Sequence, residues 1–427
     1  MNVFHPVRRL DVHRRMSDGQ RVLVGTLAQN ARGIYFQYSD EYISHFSSLS
    51  PFKLAFNAQL QQATSPIHGG LFGTFADSLP DGWGLLLMDR VFRQQGVSPT
   101  LLTAMDRLAY VGSQGSGALE YTPTSDYRLT FPPDTIDIAT LAEEACSLFE
   151  GQTEVVLAQL ANAGGSGGAR PKSLIYISPD NPNQASTIAT PGYSPWLVKF
   201  TSKSLQLQHE EGLCEAAYLR MAGRAGLKVP EWKLISPPQG SQAIAWLAMK
   251  RFDCTEQHGR YHLHSLCGLL DADFRAPSID YETLIKASQV LCKSPAVGQL
   301  QFSRAMFNLF SLNQDDHTKN WAFLQDDRGN WTPSPFYDVT YSPNPYGEHT
   351  TAFNGYGKAP PIKAIQRLAE QANFDSWASA QAAIEEIVAA LSNWTEIAKE
   401  LNISPATTKM ISRSLNEVYQ QNKLLLS

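Results

Sequence analysis

Apolar and polar positions alternate along the opening segment as they do on a half-buried sheet. Val22 and Val24, then Ile34, Phe36 and Tyr38, recur at every second position, and Asn30 to Gly33 supplies the turn between them, so the chain starts as β structure. The period then changes. In GLFGTFADSLPDGWGLLLMDRVFRQQG, Pro80, Gly82 and Gly84 mark a turn, Leu85, Leu86, Met88, Val91 and Phe92 follow at helical spacing, and Gly96 signals the end. Leu108–Val111 and Ala118–Tyr121 read as short strands. The stretch from Ile136 to Leu160 reads as helices, which places a first boundary near residue 130.

From Ala163 to Thr201 the pattern is a glycine-rich loop, a strand at Ser173–Ile177, a polar turn over Asp180–Gly192 and a strand at Trp196–Phe200. EGLCEAAYLRMAGRAGLKVP repeats Leu213, Ala217, Met221 and Ala225 and stops at Gly226 and Pro230, a helix signature. Another strand is expected over Ala243–Phe252, and a second boundary falls near 255. Beyond about residue 260 strands become rare and helices dominate, including an amphipathic stretch from Ala380 to Leu401. The pattern predicts an α+β protein in three parts, 1–130, 131–255 and 256–427, without internal repeats.

Composition narrows the class. With 427 residues and 43% apolar content, a sizeable buried core is expected. No apolar run reaches the roughly 18 residues that cross a bilayer, and MNVFHPVRRLDVHRR lacks the apolar stretch of a signal peptide, so no membrane contact and a cytoplasmic location are expected. Cys146, Cys214, Cys254, Cys267 and Cys292 are odd in number and widely spread, which argues against a disulfide framework and a structural zinc site. A net charge of -5 and a pI near 6.1 lack the basic excess of a protein that grips nucleic acid by itself; DNA contact is expected only through a partner.

Candidate chemistry concentrates in AMFNLFSLNQDDHTKNWAFLQDDRGNWTPSPFYDV, where an apolar helix runs into a polar loop, then a hairpin turning at Asp327–Asn330, then Asp338. Phosphoryl transfer needs a carboxylate to orient the attacking hydroxyl, and an amide and a second carboxylate to hold Mg²⁺ against nucleotide phosphates. Asp315 and Asn320 stand at the Asp-x-x-x-x-Asn spacing of a protein-kinase catalytic loop, and Asp338 follows one hairpin later, where a metal-binding aspartate belongs. Upstream, Lys199 lies on the strand face opposite Trp196 and Val198, suited to reach phosphates. Glu215 on the next helix is a candidate partner for it, though it also reads as a surface residue. AGGSGGARPK, with Gly167, Gly168, Arg170 and Lys172, reads as a phosphate-covering loop or as a linker and is not a Walker A sequence. In AIAWLAMKRFDC, main chain near Lys250 and the ring of Phe252 suit a base pocket, or core packing for the ring. His262, His264 and Cys267 lack a fourth ligand at zinc spacing. Trp83 and Trp321 read as core or interface aromatics.

Together these motifs resemble the HipA-type toxin kinases of bacteria, whose signature combines a GGxRPK-like loop, a strand lysine, an RFD strand and a DxHxKN loop followed by YD. Here they stand as Gly167–Lys172, Lys199, Arg251–Asp253, Asp315–Asn320 and Tyr337–Asp338, and Phe75 to Gly84 resembles the FxxLLPEG segment of the family's N-terminal subdomain. The resemblance implies a protein-kinase-like bilobal core: an N-terminal β-containing subdomain, a small lobe with the glycine-rich loop and nucleotide lysine, and a helical C-terminal lobe with the catalytic loop. It implies ATP and Mg²⁺ between the lobes, with Asp315 as catalytic base, Asn320 and Asp338 as Mg²⁺ ligands, Lys199 on the phosphates, and His317 and Lys319 shaping the loop and neutralising phosphate charge. It further implies serine/threonine kinase activity, a protein substrate such as an aminoacyl-tRNA synthetase, and a helix-turn-helix antitoxin partner.

Three positions depart from the family pattern. The autophosphorylated serine found in many members is replaced by Gly165, with only Ser166 nearby; the base-contacting glutamate is replaced by Lys250; and Asp316 adds a carboxylate to the catalytic loop. Competing readings are a metal-dependent hydrolase or nuclease using Asp315, Asp316, His317 and Asp338, a catalytically silent partner-binding protein, and a small-molecule kinase.

Overall fold

The computed structural model describes residues 4–129, 135–156, 158–163, 167–276 and 278–427. Its strands form three antiparallel sheets. The first has the order Gln61–Gln62, Gly33–Tyr38, Arg21–Asn30, Arg9–Arg15, Leu119–Thr122. Asn30 pairs with Gly33, so the expected hairpin closes through a two-residue loop. Val24, Leu27, Ile34 and Phe36 line one face and pack against Met105, Leu108 and Ala109 of the helix Ala104–Val111. Leu108–Val111 is therefore the end of a helix and not a strand. A capping box decides it: the Thr103 side chain accepts from the Asp106 amide, and the Asp106 carboxylate accepts from the Thr103 amide at 2.8 Å.

The second sheet has the order Trp232–Ile235, Trp246–Lys250, Ser194–Lys199, Lys172–Ile177, Gln184–Ser186, Ile136–Asp137. The polar stretch Asp180–Gly192 thus contributes a short strand of its own. Trp196 and Val198 share a core with Trp83, Leu87 and Val91 of the helix Gly82–Gln94 and with Ile138 and Leu141 of the helix Ile138–Phe149. Leu247 and Met249 belong instead to the core of the helical C-terminal part, together with Leu213, Ala217 and Met221 of the helix Glu211–Arg224. That core also takes in Phe302, Met306 and Phe307 of the helix Ala296–Ser311. The stretch 380–401 is two helices, Trp377–Leu391 and Trp394–Glu400, interrupted at Ser392–Asn393.

The third sheet, His262–Ser265, Ala322–Gln325 and Trp331–Pro333, carries the hairpin expected after the polar loop. Buried charge fastens it to the N-terminal part. Arg14, fully buried, donates to Gln325 Oε1 at 3.1 Å and to the Asp326 carbonyl at 2.9 Å. Donations from its two terminal nitrogens, which also reach Tyr42 and the Gln325 carbonyl, offset the cost of burying the guanidinium, while its Nε has no partner among the described residues. His262 and His264 serve the same joint: the His262 ring meets the Leu49 carbonyl at 2.9 Å, and His264 bridges Asp77 at 2.6 Å and Ser50 at 2.9 Å. Cys267 donates to the Ala272 carbonyl at 3.0 Å. Among the described residues no helix is long and apolar enough to cross a membrane.

Candidate active site

Between the second sheet and the helical part lies a cleft of about 540 Å³. Its walls bring together Gly167, Gly168, Arg170, Lys172, Lys199, Lys250, Phe252, Asp315, His317, Lys319, Asn320 and Asp338, residues that lie far apart in the sequence. Glu215 stands behind this wall, buried. Gly165 and Ser166 lie outside the described residues.

Lys199 is central. Its ammonium contacts Glu215 Oε1 and Asp338 Oδ1, each at 2.6 Å, with the lysine side chain 8% exposed. Burial alone would drive this lysine toward its neutral form, but Asp338 and Glu215 outweigh burial and raise its pKa. Burial likewise works against the Asp338 carboxylate and is overcome by Lys199 and Lys172, which hold it well below the usual carboxylate range. Glu215 is thus no surface residue: it comes from one helical turn inside Glu211–Arg224, is buried, and completes an ion triad with Lys199 and the partly exposed Asp338. Asp338 itself has φ of +56°, a left-handed backbone that aspartate tolerates better than most residues.

Lys172 pairs with Lys199 across adjacent strands, so two ammonium groups meet at the cleft floor. Burial and the Lys199 charge lower the Lys172 pKa to about 8, and its Nζ donates to the Gly167 carbonyl at 2.8 Å. Arg170 reaches Glu211 at 3.2 Å. Lys250 pairs with Glu231 at 3.0 Å near the rim, and its amide donates to the Glu231 carbonyl at 2.8 Å. The Arg251 amide is likewise taken by the Pro195 carbonyl at 3.0 Å. Phe252 lies 5.4 Å from the Tyr337 ring, so it is part of the cleft wall. Arg251 and Asp253 also line the cleft, but their charges engage each other at 2.6 Å, and Asp253 accepts from the Gly117 amide at 2.7 Å, tying this strand end to the N-terminal part.

On the opposite wall the helix Ala296–Ser311 ends at Leu312, and the loop Asp315–Asn320 follows. The Asp315 side chain is 66% exposed and lies 3.8 Å from His317 Nε2. Dehydration by the cleft walls raises its pKa, with the His317 charge opposing. Asn320 donates its amide to the Asp315 carbonyl at 2.8 Å, which leaves the side-chain oxygen of Asn320 free of that bond. Tyr337 donates its hydroxyl to the Lys319 carbonyl at 2.7 Å.

Asp316 turns away from the cleft. Its carboxylate accepts from Tyr281 at 2.5 Å and His349 Nδ1 at 2.9 Å on one oxygen, and from the Thr350 and Thr351 amides at 2.8 and 3.1 Å on the other. With both oxygens doubly engaged, it has no capacity to ligate a metal, so the cluster expected for a hydrolase loses this member. Trp321 donates to the Asp316 carbonyl at 3.1 Å. Asn313, Asn308 and Tyr281 extend this network, which fixes the loop from behind. Among the described residues no group of three or more His, Cys, Asp or Glu side chains is poised to hold a metal.

The sequence reading missed Asp77 and Asp81. Asp77 accepts from the Ser265 amide at 2.7 Å and the Ser265 hydroxyl at 2.5 Å. Asp81 meets Lys319 and the Gly168 amide inside the cleft. Both lie in the Phe75–Gly84 segment that resembles the family's N-terminal motif, but their partners lie far away in sequence, so the motif alone does not tell what they bind.

A sheet-backed lobe and a helical lobe, with lysine, carboxylates and amide facing one cleft, define a kinase-like α+β fold. A HipA-like C-terminal domain model matches residues 164–395, more than half of the chain, and a HipA N-terminal domain model matches residues 19–122. The chain belongs to the HipA-like family. A chain from the Shewanella oneidensis MR-1 toxin–antitoxin complex of HipA, HipB and operator DNA superimposes with a TM-score of 0.69 at 16% identity, covering 96% of both chains. The Helicobacter pylori proinflammatory kinase CtkA gives a TM-score of 0.42 at 15% identity, over 60% of this chain and 90% of that one. The Sinorhizobium fredii protein named "Putative kinase Y4dM" is 28% identical over 184 residues, 40% of this chain. The match spans 43% of that relative's own length.

Proposed function

We propose that this protein is an ATP- and Mg²⁺-dependent serine/threonine protein kinase, the toxin of a toxin–antitoxin module. The observation that carries the reading is the triad of Lys199 with Glu215 and Asp338, set across the cleft from Asp315 and Asn320. The Asn320 amide oxygen and the Asp338 carboxylate are hard oxygen donors, a fit for Mg²⁺, which takes one or two protein ligands and completes its shell with phosphates and water. The ion would supply neutralisation of phosphate charge.

Asp315, exposed at the cleft, is the group to orient an acceptor hydroxyl and receive its proton as the new O–P bond forms and the bond from the γ-phosphorus to the bridging oxygen breaks, leaving ADP. Lys199, held cationic by its two carboxylates, grips the phosphates, and the glycine-rich loop with Arg170 and Lys172 covers them. Phe252 offers an apolar face to the base. His317 and Lys319 shape the loop and add positive charge. An aminoacyl-tRNA synthetase is the protein substrate we favour and a helix-turn-helix antitoxin the partner; the HipA with which this chain superimposes was solved with HipB and operator DNA.

The test is transfer of labelled γ-phosphate from ATP with Mg²⁺ into a bacterial lysate, by the protein and by its Asp315→Asn variant. A labelled serine or threonine in one protein band, absent with the variant, is expected. No band together with no ATP binding by calorimetry would overturn the reading.

A further inference from the structure

We propose that Asp81, contributed by the N-terminal part of the chain, is a positioning residue of the active site that holds Lys319 of the catalytic loop and Gly168 of the glycine-rich loop on one carboxylate. The inference rests on the kinase reading and adds to it a residue that belongs to neither the glycine-rich loop nor the catalytic loop.

Asp81 occupies the N-cap position of the helix Gly82–Gln94, where an aspartate side chain ordinarily accepts from its own helix's first free amides. Here it makes no such bond. The carboxylate is turned outward instead: one oxygen accepts from the Gly168 amide and the other pairs with Lys319 Nζ. The helix completes the joint from its side, since the Trp83 amide donates to the Gly168 carbonyl at 2.8 Å and the Trp83 indole to the Lys172 carbonyl at 2.9 Å. Gly82 has φ of +45°, and a side chain there would collide with the Gly168 backbone, so the sequence Asp-Gly-Trp is shaped for close approach to the loop.

Two phosphate-facing elements therefore meet on one anion. Lys319 is held on its other side by the Phe274 ring, 4.3 Å from its ammonium, so Asp81 and Phe274 fix where the charge points. The pair is partly buried, with the lysine side chain 23% and the aspartate 11% exposed, which limits screening by water. Burial works against the Asp81 carboxylate, but Lys319 and the Gly168 amide outweigh it and keep the group ionised. A loop so tethered cannot open without breaking contact with the N-terminal part.

The test uses the full chain with Asp81→Asn, Asp81→Ala, Lys319→Met and the double variant Asp81→Asn/Lys319→Met. Asp81→Asn is nearly isosteric and still accepts from Gly168 but loses the charge on Lys319; kcat should fall about tenfold or more while KM for ATP stays within about threefold. Asp81→Ala also frees the loop: KM for ATP should rise, and amide hydrogen exchange across residues 167–172 should quicken. In the Lys319→Met background Asp81→Asn should add little, because the charge it positions is gone. Unchanged exchange in Asp81→Ala, unchanged kcat in Asp81→Asn, or independent, multiplying losses in the double variant would each overturn the role. A wild-type protein that neither binds ATP nor transfers phosphate, with the tether still visible by exchange, would sink the kinase reading, and this inference with it.

Discussion

Replacing Lys199 by methionine isolates what the ion triad contributes. Methionine keeps most of the apolar stem but removes the one cation between two carboxylates. Glu215, 3% exposed, has Lys199 as its side-chain partner; Asp338, 30% exposed, can turn toward cleft water. The penalty therefore falls chiefly on Glu215, and orphaning one member of a buried pair costs about 3–5 kcal/mol. At about 2–4 °C per kcal/mol for a unit of 150–250 residues, Lys199→Met should lower the melting temperature by on the order of 10 °C. An orphaned Glu215 escapes its penalty by taking up a proton, so the loss should deepen as pH rises above the ordinary carboxylate range and shrink in acid. Adding Glu215→Gln removes the orphaned charge and should recover about 2 kcal/mol or more, without restoring phosphate transfer. Thermal melting of the single and double variants between pH 5 and 8 reads all of this. A Lys199→Met protein melting within about 2 °C of the wild type, or a double variant no more stable than Lys199→Met, would refute the reasoning.

Asp315→Asn should abolish transfer with a melting temperature unchanged, since the side chain is exposed and, among the described residues, pairs only with His317 at 3.8 Å; retained transfer would remove Asp315 from the chemistry. Asp316→Asn should behave oppositely: an amide nitrogen set among the donors Tyr281, His349 and two backbone amides costs about 2–4 kcal/mol, seen as a lower melting temperature that added Mg²⁺ does not correct. ATP affinity should fall as pH rises through about 8, because Lys172 is cationic below that value and neutral above it; calorimetry should find at most about a tenfold loss per pH unit, and Lys172→Arg should flatten the profile.

Most of the fold was legible because its elements are stabilised locally. The hairpin from Arg21 to Tyr38 carries its alternation and its turn in one stretch, and the helix Glu211–Arg224 carries its period and its stop signals together. Leu108–Val111 misled because a four-residue apolar run fits strand and helix alike; the deciding signal, Thr103 with Asp106, sits upstream of it. The break at Ser392–Asn393 carries neither glycine nor proline, so periodicity ran through it.

The candidate site divides along the same line. Asp315, Asn320 and Asp338 could be read because phosphoryl transfer sets their types and spacing within one short segment, and Lys199 because strand alternation placed it opposite Trp196. Whether Glu215 faced Lys199 or water depended on how the helix Glu211–Arg224 rolls against the sheet, which is decided by Leu213, Ala217 and Met221 packing on the helical core. Asp316 looked like a site carboxylate because it adjoins Asp315, yet its donors come from Tyr281 and from residues 349–351, and only their arrival turns it inward. Asp77, Asp81, Arg251 and Asp253 carry the same lesson further. The carboxylates of Asp77, Asp81 and Asp253 stand at the joint between the N-terminal part and the lobes, where each would be costly without its distant donor, and Arg251 reaches the distant Gly115 carbonyl at 3.3 Å; spacing along the chain records none of those pairings. The chemistry of the cleft is thus encoded in short motifs, whereas the orientation of its walls is encoded in matched buried charges that only the folded chain brings together.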